Sequence, residues 1–166
     1  MNDFNAAGPA PARPTMLTVI CVLSFIAGLI GIYSGISSAF TDSPQKGYEQ
    51  IQAQVEEQRS DMGDQGAMME GVWASMLDVG QRSVTHKAPI GYSGIALSLL
   101  SLLGVWMMWN LKKTGFWIYL LATLGGLITP LIWLGSSMVA LLTLGFAGLI
   151  SIVFVILYAV NLKHMR

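Results

Sequence analysis

Residues 116–160 form a run of 45 with no Asp, Glu, Lys, Arg or His. A helix on the surface of a water-soluble protein carries a polar face along its length. A segment that crosses a bilayer needs about 20 consecutive apolar residues instead, and must satisfy its backbone internally. This run is too long for one crossing and suits two. The break belongs at Gly135-Ser136-Ser137, which leaves 116–134 and 138–160 as separate helices. A break at Gly125-Gly126 would leave the earlier helix too short. Pro130 then falls near that helix's end, where a kink is cheaply accommodated.

Two further uncharged runs precede it. Residues 15–40 number 26, about 39 Å as a helix. Ser37 and Ala39 would form a small-x-small cleavage site, but the apolar part of a signal peptide is only about 7–15 residues long. The first run therefore reads as an uncleaved span. Residues 90–109 follow Pro89, which suits a first helical turn. The predicted architecture is all-α: an integral membrane four-helix bundle with spans at 15–40, 88–109, 116–134 and 138–160. A helical extracytoplasmic loop at 41–87 joins helices 1 and 2. Residues 1–14, rich in Ala and Pro, read as a flexible tail, 110–115 as a basic loop and 161–166 as a second tail. Charged residues amount to 11%, against about 25% in soluble domains. That excludes a disordered segment, a nucleic-acid module and an ordinary soluble enzyme.

The net charge of zero hides an asymmetry. With four spans, both termini and the 110–115 loop share one side. That side carries Arg13, Lys112, Lys113, Lys163 and Arg166 against Asp3 alone. The 41–87 segment carries eight acids against Lys46, Arg59, Arg82 and Lys87. Basic residues mark the cytoplasmic side. Both termini are thus expected inside and the long loop outside. Trp106, Trp109, Trp117, Tyr119 and Tyr158 gather near the expected inner boundary, as interfacial aromatics do.

The spans contain no ionisable Asp, Glu, Lys, Arg or His, the usual carriers of proton relays and ion coupling. Cys21 is the single cysteine, so no intrachain disulfide can form. It reads as a small hydrophobe. His86 and His164 lie at opposite borders, which argues against a haem held between them. No phosphate loop, nucleophile elbow or metalloprotease signature occurs. No cofactor, no metal and no catalytic residue is expected.

Small residues recur instead. Ala27, Gly31, Gly35 and Ala39 are spaced by four, with a GxxxG at Gly31 and Gly35. Gly94, Ser98, Ser101 and Gly104 form a second stripe, and Gly145, Gly148 and Ser151 a third. Such stripes let helices approach closely. Packing within one bundle is the plainer reading, and self-association or a partner helix the sharper one.

In the long loop, Ser43-Pro44 can start a helix. Tyr48, Ile51 and Val55 then share a face, and Gly63-Asp64-Gln65-Gly66 breaks the pattern. A second amphipathic stretch follows with Met69, Val72, Trp73, Met76 and Val79. Two helices joined by a Gly-rich turn are expected, folded on each other or lying over the membrane surface. Met62, Met68, Met69 and Met76 with His86 could suit Cu(I). Filling an apolar face explains these methionines more simply. Trp73 reads first as a hairpin core residue and second as a binding anchor.

Arg13-Pro14-Thr15-Met16-Leu17-Thr18-Val19-Ile20-Cys21 resembles the opening of small four-helix bacterial membrane proteins. Leu111-Lys112-Lys113-Thr114-Gly115-Phe116-Trp117 is similar to their basic, Gly-ended loop leading into an aromatic-led helix. The resemblance implies a bacterial inner membrane and brings no activity or functional residue with it. The expected function is non-enzymatic: an interaction or assembly subunit, with the lipid bilayer and either a second copy or another membrane protein as partners. The presented face would be Tyr48, Ile51, Val55, Met69, Trp73 and Met76. The alternative is an oligomeric permeation component lined by Ser98, Ser101, Thr123 and Thr129.

Overall fold

The computed structural model describes residues 15–62 and 69–164. Residues 1–14, the Gly63–Gly66 break, Met68 and Arg166 lie outside the described residues, as do the side chains of Met62 and His164. The described residues form six α-helices and no strand: α1 Thr15–Phe40, α2 Ser43–Met62, α3 Glu70–Thr85, α4 Lys87–Trp109, α5 Thr114–Leu134 and α6 Met138–Asn161, followed by a 3₁₀ turn at Leu162–His164. Four of them, α1, α4, α5 and α6, are long and apolar enough to cross a membrane. Large apolar side chains stand exposed along all four, among them Tyr33, Trp117, Ile132 and Phe146. Water-soluble monomers do not expose contiguous apolar surface on that scale.

Local chemistry sets the breaks. Gly135 takes φ +80° and ψ −171°, a region open essentially to glycine alone, so α5 stops there. Ser137 caps α6 by accepting a hydrogen bond from the Ala140 N–H at 3.3 Å. Between α4 and α5 the chain turns at Leu111, whose φ is +60°. Only His86 separates α3 from α4. Its backbone N–H still bonds the Arg82 carbonyl at 2.9 Å, which carries the chain from one helix directly into the next.

The helices pack unequally. α4 lies between α1 and α5 and is tightly joined to both. Against α1, a Cβ at Gly35 would lie 3.0 Å from the Gly91 carbonyl, and one at Gly91 would lie 2.6 Å from Ala39 Cβ. Against α5, a Cβ at Gly104 would lie 2.7 Å from the Tyr119 nitrogen and 2.9 Å from the Gly115 carbonyl. Gly115, expected to end a loop, is instead in the first turn of α5, where its missing side chain admits the α4 backbone. α6 is attached more sparsely. Its C-terminal part joins a buried cluster of Leu17, Ile20, Cys21, Val105, Met108, Phe116, Tyr119 and Tyr158. That cluster lies toward the end of the bundle carrying the α4–α5 turn. The α2–α3 hairpin lies at the other end.

Candidate functional site

Two places collect the chemistry-bearing residues. The first is a cleft among the four long helices, with a volume of about 300 Å³. Ser24 and Gly28 of α1, Ser98 and Ser101 of α4, Thr123 and Gly126 of α5, and Ser151 and Phe154 of α6 line it. A second cavity of about 230 Å³ between α4 and α5 shares Leu97, Ser98 and Gly126 with it, and extends past Thr129 and Pro130 to Leu134. No charged side chain lines either cavity.

Its hydroxyls fall into two groups. Thr123 Oγ1 donates to the Tyr119 carbonyl at 2.9 Å, Thr129 Oγ1 to Gly125 at 2.8 Å and Ser93 Oγ to Pro89 at 2.7 Å. These donors are used within their own helices, a common refuge for Ser and Thr in apolar surroundings. Ser98, Ser101 and Ser151 make no such bond among the described residues. Toward the α4–α5 turn the cleft is closed. Tyr158, with 0% of its surface exposed, donates its hydroxyl to Ser24 Oγ at 2.8 Å, and its ring meets Tyr119 edge-on at 5.0 Å.

The small-residue stripe of α1 is divided by helix geometry. A strict spacing of four advances about 40° per step on a helix of 3.6 residues per turn, so it cannot face one neighbour throughout. Gly31, Gly35 and Ala39 do face α4: a Cβ at Gly31 would collide with Ser98 Oγ. Ala27 lines the cleft, and Gly28 replaces it in the contact, where a Cβ would lie 2.5 Å from Leu102 Cδ2. The α6 stripe makes no comparable approach. A Cβ at Gly145 would meet nothing within 4 Å, and one at Gly148 only Leu127 at 3.9 Å.

The second place is the hairpin of α2 and α3, which fold on each other. Val55 and Trp73 are buried within it, at 3% and 2% exposure. Trp73 Nε1 donates to Gln58 Oε1 at 3.1 Å. The Arg59 guanidinium stands 5.8 Å from the Trp73 ring centroid and pairs with Glu70. Tyr48 packs over Gly80, where a Cβ would lie 2.7 Å from Tyr48 Cδ2, and Ile51 is half-buried. Met69 and Met76 remain 39% exposed. The six-residue face is therefore shared between the hairpin's own core and its surface. Its base is tied down as well: His86 lies 5.5 Å from the Trp133 ring, and Lys87 Nζ stands 3.4 Å from Asp42.

Sequence reasoning missed Gln58, Arg59 and Gly80 in the hairpin, and the Tyr158–Ser24 bond in the bundle. A Ser in the first span and a Tyr in the fourth at matching depth were the available signal for that bond. Among the described residues no three His, Cys, Asp or Glu side chains converge as a metal site. Compared with protein-family models, with curated proteins and with solved structures, the chain matches none. The architecture itself defines a class: an all-α bundle whose four candidate spans suggest a multi-pass membrane protein.

Proposed function

We propose that the chain is a non-enzymatic, four-span protein of a bacterial inner membrane, working as an interaction or assembly subunit through its extracytoplasmic hairpin. The observation that carries this reading is how the hairpin is built. It closes a core of its own around Trp73 and Val55, yet leaves Met69 and Met76 exposed. Glu49, Glu56, Glu57 and Asp61 stand exposed on α2. Apolar side chains set beside acids make a surface suited to a second copy or another membrane protein.

Orientation rests on the charge partition, with Lys112, Lys113 and Lys163 at one end and the acidic hairpin at the other. The only native thiol, Cys21, is buried, so introduced cysteines report cleanly. Gln54→Cys should react with a membrane-impermeant maleimide in intact spheroplasts, and Lys112→Cys only after lysis. The reverse pattern overturns the orientation. For the function, photoreactive residues at Met69 and Met76 should give adducts of discrete mass in native membranes. Uncrosslinked monomer at both positions refutes the subunit reading.

A permeation component is the second reading. It is favoured by the convergence of Ser98, Ser101, Thr123 and Thr129 on the cleft system. The buried Tyr158–Ser24 closure stands against a continuous path through this arrangement of one chain. Saturable solute flux into liposomes by purified protein would place permeation first.

A further inference from the structure

The cleft has three properties that together specify an occupant. It carries no charge: serines, threonines, Leu97, Ile150 and Phe154 line it, without Lys, Arg, Asp or Glu. It holds spare donors, since Ser98, Ser101 and Ser151 lack a hydrogen-bond partner among the described residues. It is blind at one end, where Tyr158 seals against Ser24. Ala27 of α1, Gly126 of α5 and Ile150 of α6 line it and are exposed, which puts its mouth beside α6. On the reading that the four long helices span a bilayer, that mouth opens sideways into lipid.

Depth narrows the choice. Ser98 stands midway along α4 and Ser151 near the middle of α6. The hydrocarbon core is about 30 Å thick, so these hydroxyls lie about 15 Å from either headgroup layer. The ester carbonyls of a phospholipid are tethered beside a charged phosphate and cannot sink that far. Free donors in hydrocarbon favour an acceptor, and the lack of charge favours an uncharged ligand over an ion. We infer that the cleft binds an uncharged, carbonyl-bearing lipid, which enters beside α6 and accepts hydrogen bonds from Ser98, Ser101 and Ser151. This site is separate from the hairpin surface and requires no passage across the membrane.

Two variants separate binding from folding. Gly126 lines both cavities, and a Cβ there meets nothing within 4 Å, so Gly126→Phe adds bulk at the cleft lining with no clash at its Cβ. The double variant Ser98→Ala with Ser151→Ala removes two donors at nearly constant volume. The full chain in nanodiscs is photolabelled with a diazirine-bearing fatty-acid methyl ester, a diazirine-bearing alkane of equal length, or a diazirine-bearing phosphatidylglycerol. The methyl ester is expected to label cleft residues of α1, α5 and α6 saturably, in competition with unlabelled methyl oleate. Cleft labelling should fall about fivefold for each hydroxyl lost and disappear in Gly126→Phe, with labelling of the outward helix faces unchanged. Three results overturn the inference: an alkane that labels the cleft as strongly as the ester, a phosphatidylglycerol that does so, or cleft labelling by the ester that stays at the wild-type level in either variant.

Discussion

Gly104→Ala and Gly126→Ala make the same chemical change in neighbouring helices, and the structure gives them opposite consequences. At Gly104 the new Cβ would stand 2.7 Å from the Tyr119 nitrogen and 2.9 Å from the Gly115 carbonyl. Both are backbone atoms of α5, so no rotamer change relieves the clash. Ordinary contact begins near 3.5 Å, and the helices must part by roughly 0.8 Å. Overpacking of that kind costs about 1–3 kcal/mol, with a rigid backbone obstacle toward the upper end. Alanine returns up to about 1 kcal/mol in helix propensity. The net loss is about 1–2 kcal/mol. At Gly126 nothing lies within 4 Å of the added methyl, so only the propensity gain remains. The assay is thermal unfolding in a single detergent, followed by near-ultraviolet circular dichroism. At about 2–4 °C per kcal/mol for a chain of this size, Gly104→Ala should melt roughly 2–8 °C below the wild-type chain. Gly126→Ala should melt at or slightly above it. Equal melting temperatures for the two variants would refute the claim that α4 and α5 touch backbone to backbone at Gly104.

Three other substitutions probe other contacts. Tyr158→Phe removes the 2.8 Å bond to Ser24 from a fully buried site and should lower stability by about 0.5–1.5 kcal/mol in the same melt. Trp73→Ala empties the hairpin core at a cost of about 3–5 kcal/mol; amide exchange should accelerate in α2 and α3 while α4 and α5 stay protected. Gly135→Ala forces a side chain onto φ +80° and ψ −171° and should cost about 1–3 kcal/mol, read as earlier proteolysis at the α5–α6 connection.

The four long helices were legible because absence of charge over a bilayer's length is a property of each segment alone. The hairpin was legible for a similar reason, since Tyr48, Ile51 and Val55 share one face whatever they pack on. What the sequence could not supply was the partner of each face. Gly115 reads as the end of a basic loop until α4 is seen to press against it. The spacing of four from Ala27 to Ala39 reads as one seam, but helical drift turns Ala27 away and brings Gly28 in. Likewise, Trp73 carries the same pattern whether it fills a core or meets a partner. Only the approach of Gln58 and Arg59 from the neighbouring helix decides that it is enclosed. Pairings across many residues, such as Tyr158 with Ser24, depend on tertiary register that no local period encodes.

The unequal use of small residues accounts for the cleft. Glycines bring helices together only where both surfaces are shaped for it, as at Gly35 with Gly91 and Gly104 with Gly115. α6 carries Gly145, Gly148 and Ser151, yet no helix closes on them. Bulk at its C-terminal part, through Phe154, Val155 and Tyr158, fixes the helix against the buried cluster instead. Close α1–α4–α5 packing and a bulky α6 anchor therefore leave a gap at mid-height. That gap is where Ser98, Ser101 and Ser151 lack hydrogen-bond partners among the described residues. Small residues that pull helices together in one place hold open a space in another, and Gly126, where an added Cβ would meet nothing within 4 Å, marks the point where the two uses divide.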